Sequence, residues 1–216
     1  MTPNKEDYLK CIYEIGTDMQ KITNKEIAAR MQVSPPAVTE MIKRMKSENL
    51  ILKDKENGYL LTDIGLKLVS ELYRKHRLIE VFLVHHLDYT SDQIHEEAEV
   101  LEHTVSDLFV KRLDKLLGFP QTCPHGGTIP AEGELLVEIN NLPLAAVQEA
   151  GTYLLTRVHD SFELLKYLEK HAIHIGDQLQ VKQFDGFSNS FTLVNKDEDF
   201  QVSMDIAKQL YVEKIN

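Results

Sequence analysis

Residues 23–46 read TNKEIAARMQVSPPAVTEMIKRMK, and this stretch decides the N-terminal fold. Thr23, followed three residues later by Glu26, forms a capping box that opens a helix over residues 24–32. Ile27, Ala28 and Met31 fall on one face of that helix. Val33 and Ser34 leave room only for a tight turn. Ser34 then caps a second helix with Pro35 and Pro36 in its first turn, where early N–H groups lack intrahelical partners anyway. Val38, Met41, Ile42 and Met45 form the buried side of this helix. Two short helices across a tight turn, the second presenting small and basic residues, make a helix-turn-helix. Ser34, Ala37 and Thr39 are small enough for close approach to base edges, with Pro36 and Glu40 on the same presented turns. Lys43, Arg44 and Lys46 are placed for phosphates.

Working outward, residues 5–16 read as a helix with Tyr8, Leu9, Ile12, Tyr13 and Ile15 apolar and Gly16 as its stop. After the recognition helix, strands at 50–53 and 58–62 flank Asn57-Gly58, a strong hairpin signal, so the hairpin reads as a wing. Residues 63–87 predict a long amphipathic helix, and Asp92–Leu117 a second one rich in Glu and His. In the latter, Leu108, Phe109, Leu113, Leu116 and Leu117 form a stripe suited to packing or a dimer seam. Residues 121–141 look irregular. From Leu142 onward the chain turns to short strands at 153–158, 178–181, 190–194, 200–203 and 210–212, with one helix at 161–171. That density of short strands predicts an SH3-like β-barrel. The fold class is therefore mainly α with a small β domain. The expected domains are a winged helix over 1–70, a helical metal-binding and dimerisation domain over 71–141, and the SH3-like domain over 142–216.

The chain has 216 residues and a net charge of −10, unpromising for nucleic acid at first sight. The charge is unevenly spread. Between Lys21 and Lys55 eight Lys/Arg face four acids, so that segment is +4 and the remainder −14. A basic block on an acidic chain points to one region for phosphates and another for cations. No apolar run approaches the ~20 residues of a membrane-spanning helix, and the N-terminus is polar and acidic. Two cysteines, Cys11 and Cys123, suit a reducing compartment, and the cytoplasm is the expected location.

Divalent metals need several donors converging on one point, and helices supply them at i, i+3 and i+4. His95, Glu99, Glu102 and His103 have this spacing, as do His76 and Glu80 on the preceding helix. Cys123-Pro124-His125 sets a thiol and an imidazole two residues apart. Each feature alone is common on surfaces; three within fifty residues, beside a DNA-binding domain, point to a metal sensor. Enzyme signatures are missing: there is no Gly-rich phosphate loop, no His-Glu-x-x-His and no Gly-x-Ser-x-Gly. A metal-independent winged-helix regulator and a metallohydrolase remain as rival readings.

Lys75-His76-Arg77-Leu78-Ile79-Glu80 and Glu99-Val100-Leu101-Glu102-His103 resemble the metal-binding helices of the DtxR/MntR metalloregulators. The order and length of all three predicted domains agree, with the last resembling the FeoA type and the whole most similar to the manganese-responsive branch. The resemblance implies a homodimeric, Mn2+-responsive repressor of metal-uptake genes that binds double-stranded operator DNA, with Fe2+, Zn2+ or Cd2+ as alternative ions. It implies neither a membrane nor a small organic substrate as partner. One implied site uses Asp7, Glu99, Glu102 and His103, with His76 as a further donor. A second uses Glu80, Cys123, His125 and Asp160, the last of which also sits where a helix cap belongs. His95 aligns with a ligand of iron-responsive members and is set aside here in favour of Cys123 and His125. Asp7 and Glu99 stand where iron-type members carry Met and Cys; such oxygen donors favour Mn2+ in relative terms, although Zn2+ should bind at least as tightly. Lys10 stands where short manganese-type members use an acidic residue.

Overall fold

Thr23 and Ser34 cap their helices as expected. Thr23 Oγ1 accepts from the Glu26 N–H at 3.2 Å and Ser34 Oγ from the Ala37 N–H at 3.4 Å. The structure, a computed structural model, describes residues 2–17, 21–90, 93–196 and 198–215. Its first elements are α1 (Pro3–Thr17), α2 (Asn24–Arg30), α3 (Pro35–Ser47), β1 (Ile51–Asp54) and β2 (Gly58–Leu61). Tyr8, Leu9, Ile12 and Ile15 of α1 pack with Ile27, Val38, Ile42 and Met45 of α2 and α3 in one core. β1 and β2 pair antiparallel, Asp54 opposite Gly58. The Asp54 carboxylate accepts from the Glu56 and Asn57 N–H groups at 2.9 and 2.7 Å, which pins the wing turn. Gly58 has φ +87° because Ile22 runs beside it: a Cβ there would lie 1.9 Å from the Ile22 carbonyl oxygen.

α4 (Asp63–Leu87) is the predicted long helix. The second expected helix is instead two, α5 (Ile94–Glu102) and α6 (Asp107–Leu116); Asp92, its expected start, lies outside the described residues. The break has a local cause. The Thr104 hydroxyl bonds back to the Leu101 carbonyl at 3.0 Å, and Ser106 caps α6 by accepting from the Phe109 N–H at 3.2 Å. Leu78, Ile79, Val81 and Leu83 of α4 pack with Ile94 and Ala98 of α5 and Val110 and Leu113 of α6.

The C-terminal elements are β3 (Gly151–Val158), α7 (Phe162–Lys170), β4 (Gln178–Asp185), β5 (Ser190–Asn195), β6 (Glu198–Ser203), α8 (Met204–Ala207) and β7 (Leu210–Lys214). The strands form one antiparallel sheet in the order β6-β5-β4-β3-β7. It is not the closed barrel expected from the strand density. Among the described residues β6 and β7 remain the two edges, and the short α8, packed against β5, β6 and β7, stands between them in the chain. Leu155, Leu179, Leu193, Val202 and Leu210 fill the interior of this domain.

By compactness the chain divides into two units, residues 1–75 with 130–136, and 76–129 with 137–216. α4 contributes to both units, and the stretch 130–136 joins the first because Arg74 donates to the Pro130 carbonyl and the Leu136 N–H donates to Ser70 Oγ, both at 2.8 Å. None of the described helices is long and apolar enough to cross a membrane.

Candidate metal centre and nucleic-acid interface

The second unit gathers most of the expected metal donors in its interior. α4 places His76 and Glu80 one turn apart, 1% and 0% exposed, with His76 Nε2 3.2 Å from Glu80 Oε1. The end of α5 supplies Glu102, 1% exposed, whose carboxylate lies 2.6 Å from His76 Nδ1. The loop after α6 supplies Cys123 and His125, both buried, with His125 Nδ1 3.2 Å from Glu80 Oε1. Asp160, just beyond β3, reaches His76 Nε2 at 3.3 Å, His125 Nδ1 at 3.4 Å and His95 Nδ1 at 3.0 Å. Donor atoms of Glu80, Cys123 and His125 all lie within 4.8 Å of one another, as do those of His76, Glu80, His95 and Asp160, and those of His76, Glu99 and Glu102.

Burial raises the cost of ionising Glu80 and Asp160, and the surrounding imidazoles reverse that cost. Burial and the neighbouring Asp160 oppose the Glu80 charge, yet His76 and His125 hold its carboxyl below the ordinary value. Asp160 is held well below the carboxylate range by His125, His76 and His95, against the same burial. His125 is desolvated too, but Glu80, Asp160 and Cys123 push its imidazole firmly towards the protonated form. Burial, followed by Glu80, pushes the Cys123 thiol up.

The charge balance leaves polar atoms unsatisfied. Neither oxygen of Glu80 accepts a hydrogen bond, nor does Asp160 Oδ1, and His95 Nδ1 is likewise without one. The imidazoles approach these oxygens within ion-pair distance. Buried carboxylates so placed fit a cation that accepts several lone pairs at once, and the mixed N, O and S donors suit a divalent transition ion.

Some donors are placed differently from the sequence reading. His76 stands between the two expected groups, touching Glu102 on one side and Glu80 and Asp160 on the other. Asp160 does not cap α7, whose N-cap is Ser161; its carboxylate is turned to the imidazoles. His95, which the sequence reading set aside, joins Asp160 and stacks edge-on against His76 with ring centroids 5.2 Å apart. Its i, i+4 spacing to Glu99 was the available signal. His95, Glu99 and Glu102 lie on α5 at the expected i, i+4 and i+7 spacing, whereas His103 is the C-cap of that helix rather than part of it. His103 Nε2 lies 3.5 Å from Glu102 Oε1. Asp7 lies on α1 in the first unit and is half-buried.

In the first unit every residue expected to face DNA is exposed: Ser34, Pro36, Ala37, Thr39, Glu40, Lys43 and Arg44. Thr39 Oγ1 donates to the Pro35 carbonyl at 2.9 Å and accepts from Asn24 Nδ2 at 3.0 Å, tying the two helices of the motif together. Arg44 is paired with Glu40 one turn away. On an exposed helix such a pair is weak.

Three family models cover nearly the whole chain. "Iron dependent repressor, N-terminal DNA binding domain" matches residues 1–59, "Iron dependent repressor, metal binding and dimerisation domain" residues 62–131, and "FeoA domain" residues 142–214. The diphtheria toxin repressor of Corynebacterium diphtheriae is 27% identical over 97% of this chain and 96% of its own length. The manganese regulator SloR is 58% identical, covers 100% of both chains and superposes with a TM-score of 0.91. ScaR with bound Zn2+ is 63% identical over 98% of this chain and 99% of its own, with a TM-score of 0.94.

Proposed function

The chain belongs to the iron-dependent repressor (DtxR) family of DNA-binding metalloregulators, which are not enzymes, and from that premise we propose that it is a Mn2+-responsive repressor acting as a homodimer. Its partner is double-stranded operator DNA, and its regulated genes are those of metal uptake. The observation that carries this reading is the convergence of His76, Glu80, Glu102, Cys123, His125 and Asp160 in overlapping groups of candidate metal donors, five of them buried. The similarity to SloR and to the ScaR structures holding Zn2+ and Cd2+ supports a divalent transition ion as effector.

Two ligand groups follow. The first comprises Asp7, Glu99, Glu102 and His103, with His76 as a further donor; the second comprises Glu80, Cys123, His125 and Asp160. His95 is added to the neighbourhood of the second. The oxygen-rich first group favours Mn2+ relative to softer ions, whereas the thiol of the second also welcomes Zn2+ and Cd2+. A divalent ion, when bound, supplies a compact double positive charge that offsets the mutual repulsion of the carboxylates. Asp7 carries the coupling to DNA: engaged with the first group, it restrains α1, and through the core shared by α1, α2 and α3 it restrains the recognition helix. In a dimer, fixing two recognition helices at a spacing of about 34 Å matches successive major grooves. A coupling of roughly 1–3 kcal/mol is typical of such switches.

The test is a MnCl2 titration of the metal-free protein with a fluorescent promoter duplex, read by anisotropy. Mn2+ should raise affinity at least tenfold, about 1.4 kcal/mol, and Asp7→Ala and Glu102→Ala should each lose that gain. Equal affinity in Mn2+ and in chelator would reject the reading.

A further inference from the structure

The loop that carries Cys123 and His125 is closed on itself, the Cys123 N–H donating to the Gly127 carbonyl and the Gly126 N–H to the Cys123 carbonyl, both at 2.9 Å. The end of β3 is pressed directly against it. The Val158 N–H donates to the His125 carbonyl at 3.0 Å. Gly126 has φ +79°, and a Cβ on it would sit 2.0 Å from the Thr156 carbonyl oxygen and 2.8 Å from Arg157 Cα. Those backbone atoms cannot swing aside as a flexible side chain would. Thr156 Oγ1 donates to the Tyr211 carbonyl at 3.1 Å. Arg157 Nε donates to the Asn140 carbonyl at 2.6 Å, and its guanidinium lies 3.4 Å from the centre of the Tyr211 ring. Two residues beyond Val158 the chain reaches Asp160, the carboxylate that faces His76, His95 and His125.

We propose that Gly126 is the positioning residue that lets the FeoA-type domain deliver Asp160 to the second metal group. Without a side chain at position 126, β3 seats against the loop, the Val158–His125 bond forms, and Asp160 arrives beside the imidazoles. Any side chain at 126 separates the two backbones, leaving Glu80, Cys123 and His125 in place but withdrawing Asp160. Domain docking and ligation by Asp160 are then one event. The inference rests on the assignment of Glu80, Cys123, His125 and Asp160 as ligands.

The experiment titrates Co2+ into the full-length metal-free protein. It reads the thiolate-to-cobalt charge-transfer band, which reports Cys123, and the d–d bands, which report the rest of the donor set. Gly126→Ala should retain the thiolate band, weaken Co2+ binding roughly tenfold to a hundredfold, and shift the d–d bands to those of Asp160→Ala. The double variant Gly126→Ala/Asp160→Ala should bind no more weakly than Asp160→Ala alone, since both changes remove the same interaction. Gly126→Asn should behave like Gly126→Ala, because asparagine tolerates positive φ but still carries a Cβ. Unchanged affinity in Gly126→Ala, additive losses in the double variant, or recovery in Gly126→Asn would each overturn the proposal. A wild-type protein with no thiolate band would instead overturn the ligand assignment beneath it. Should the Gly126 variants not fold, hydrogen exchange at the Val158 amide decides. Co2+ should slow it at least tenfold in the wild type and leave it unchanged in Asp160→Ala; equal slowing in both would refute the coupling.

Discussion

Cys11 and Cys123 are both buried thiols, yet among the described residues Cys123 alone belongs to a group of candidate metal donors. Cys11 lies in the core of the first unit, and burial, reinforced by Glu14, pushes its thiol from 9.0 to about 12. The folded chain therefore favours the protonated form. The stability this contributes is complete below pH 9 and is lost as the pH rises towards about 12. Urea denaturation across that alkaline range should show falling stability in the wild type and a flatter profile in Cys11→Ala; parallel profiles would deny the thiol this role. The same contrast marks what could be read at this scale. His76, Glu80, Glu102, Cys123 and His125 are legible as candidate donors from residue type and spacing along the chain. That His76 stands between both groups, and that His95 faces Asp160, is not, because these contacts join α4, α5 and the segment after β3, far apart in the chain.

Among the elements, the wing shows how one residue type can be dictated by a neighbour. Asn57-Gly58 was readable as a turn, but Gly58 is also required by the Ile22 backbone, which donates to the Asn57 carbonyl at 2.9 Å and accepts from the Tyr59 N–H at 3.1 Å. Gly58→Ala should cost about 2–3 kcal/mol in urea denaturation followed by circular dichroism. It should also weaken operator binding, since the wing is displaced with it; a loss below about 0.5 kcal/mol would show that the Ile22 strand yields. Periodicity located α4 to the residue. It ran α5 and α6 together because residues 103–106 hold no Gly or Pro to mark a break, while the Thr104 and Ser106 hydroxyls redirect the backbone there. The sheet illustrates the converse limit: local alternation identified all five strands but carries no information about which edges meet.

For the whole molecule, the functional reading joins a DNA-binding unit, a metal cluster and a dimer. α6 and the residues after it leave Leu108, Leu116 and Phe119 at least 60% exposed in the single chain. Such a group of large apolar side chains is unusual on a monomer and fits the dimerisation surface expected of this family. Leu116→Glu should shift the protein towards monomer in analytical ultracentrifugation and lower operator affinity at least tenfold in saturating Mn2+. A variant that stays dimeric would move the seam elsewhere. Because phosphate contacts dominate the affinity of such proteins, comparisons with wild type must be made at one salt concentration.

The sequence by itself determined most of the elements and the class. Capping at Thr23 and Ser34, the Asn57-Gly58 turn, the basic block on an acidic chain and the His/Glu spacings are local signals, written within a few residues of where they act. Tertiary structure alone decided the division of α4 between two units, the open edges of the sheet, and the gathering of Asp160, His95 and the Cys123–His125 loop. These depend on backbone approaches such as that of Gly126 to Thr156, between residues thirty apart, where the deciding property is the absence of an atom. No periodicity or charge pattern along the chain records such an absence; it acquires meaning only when the second backbone is in place.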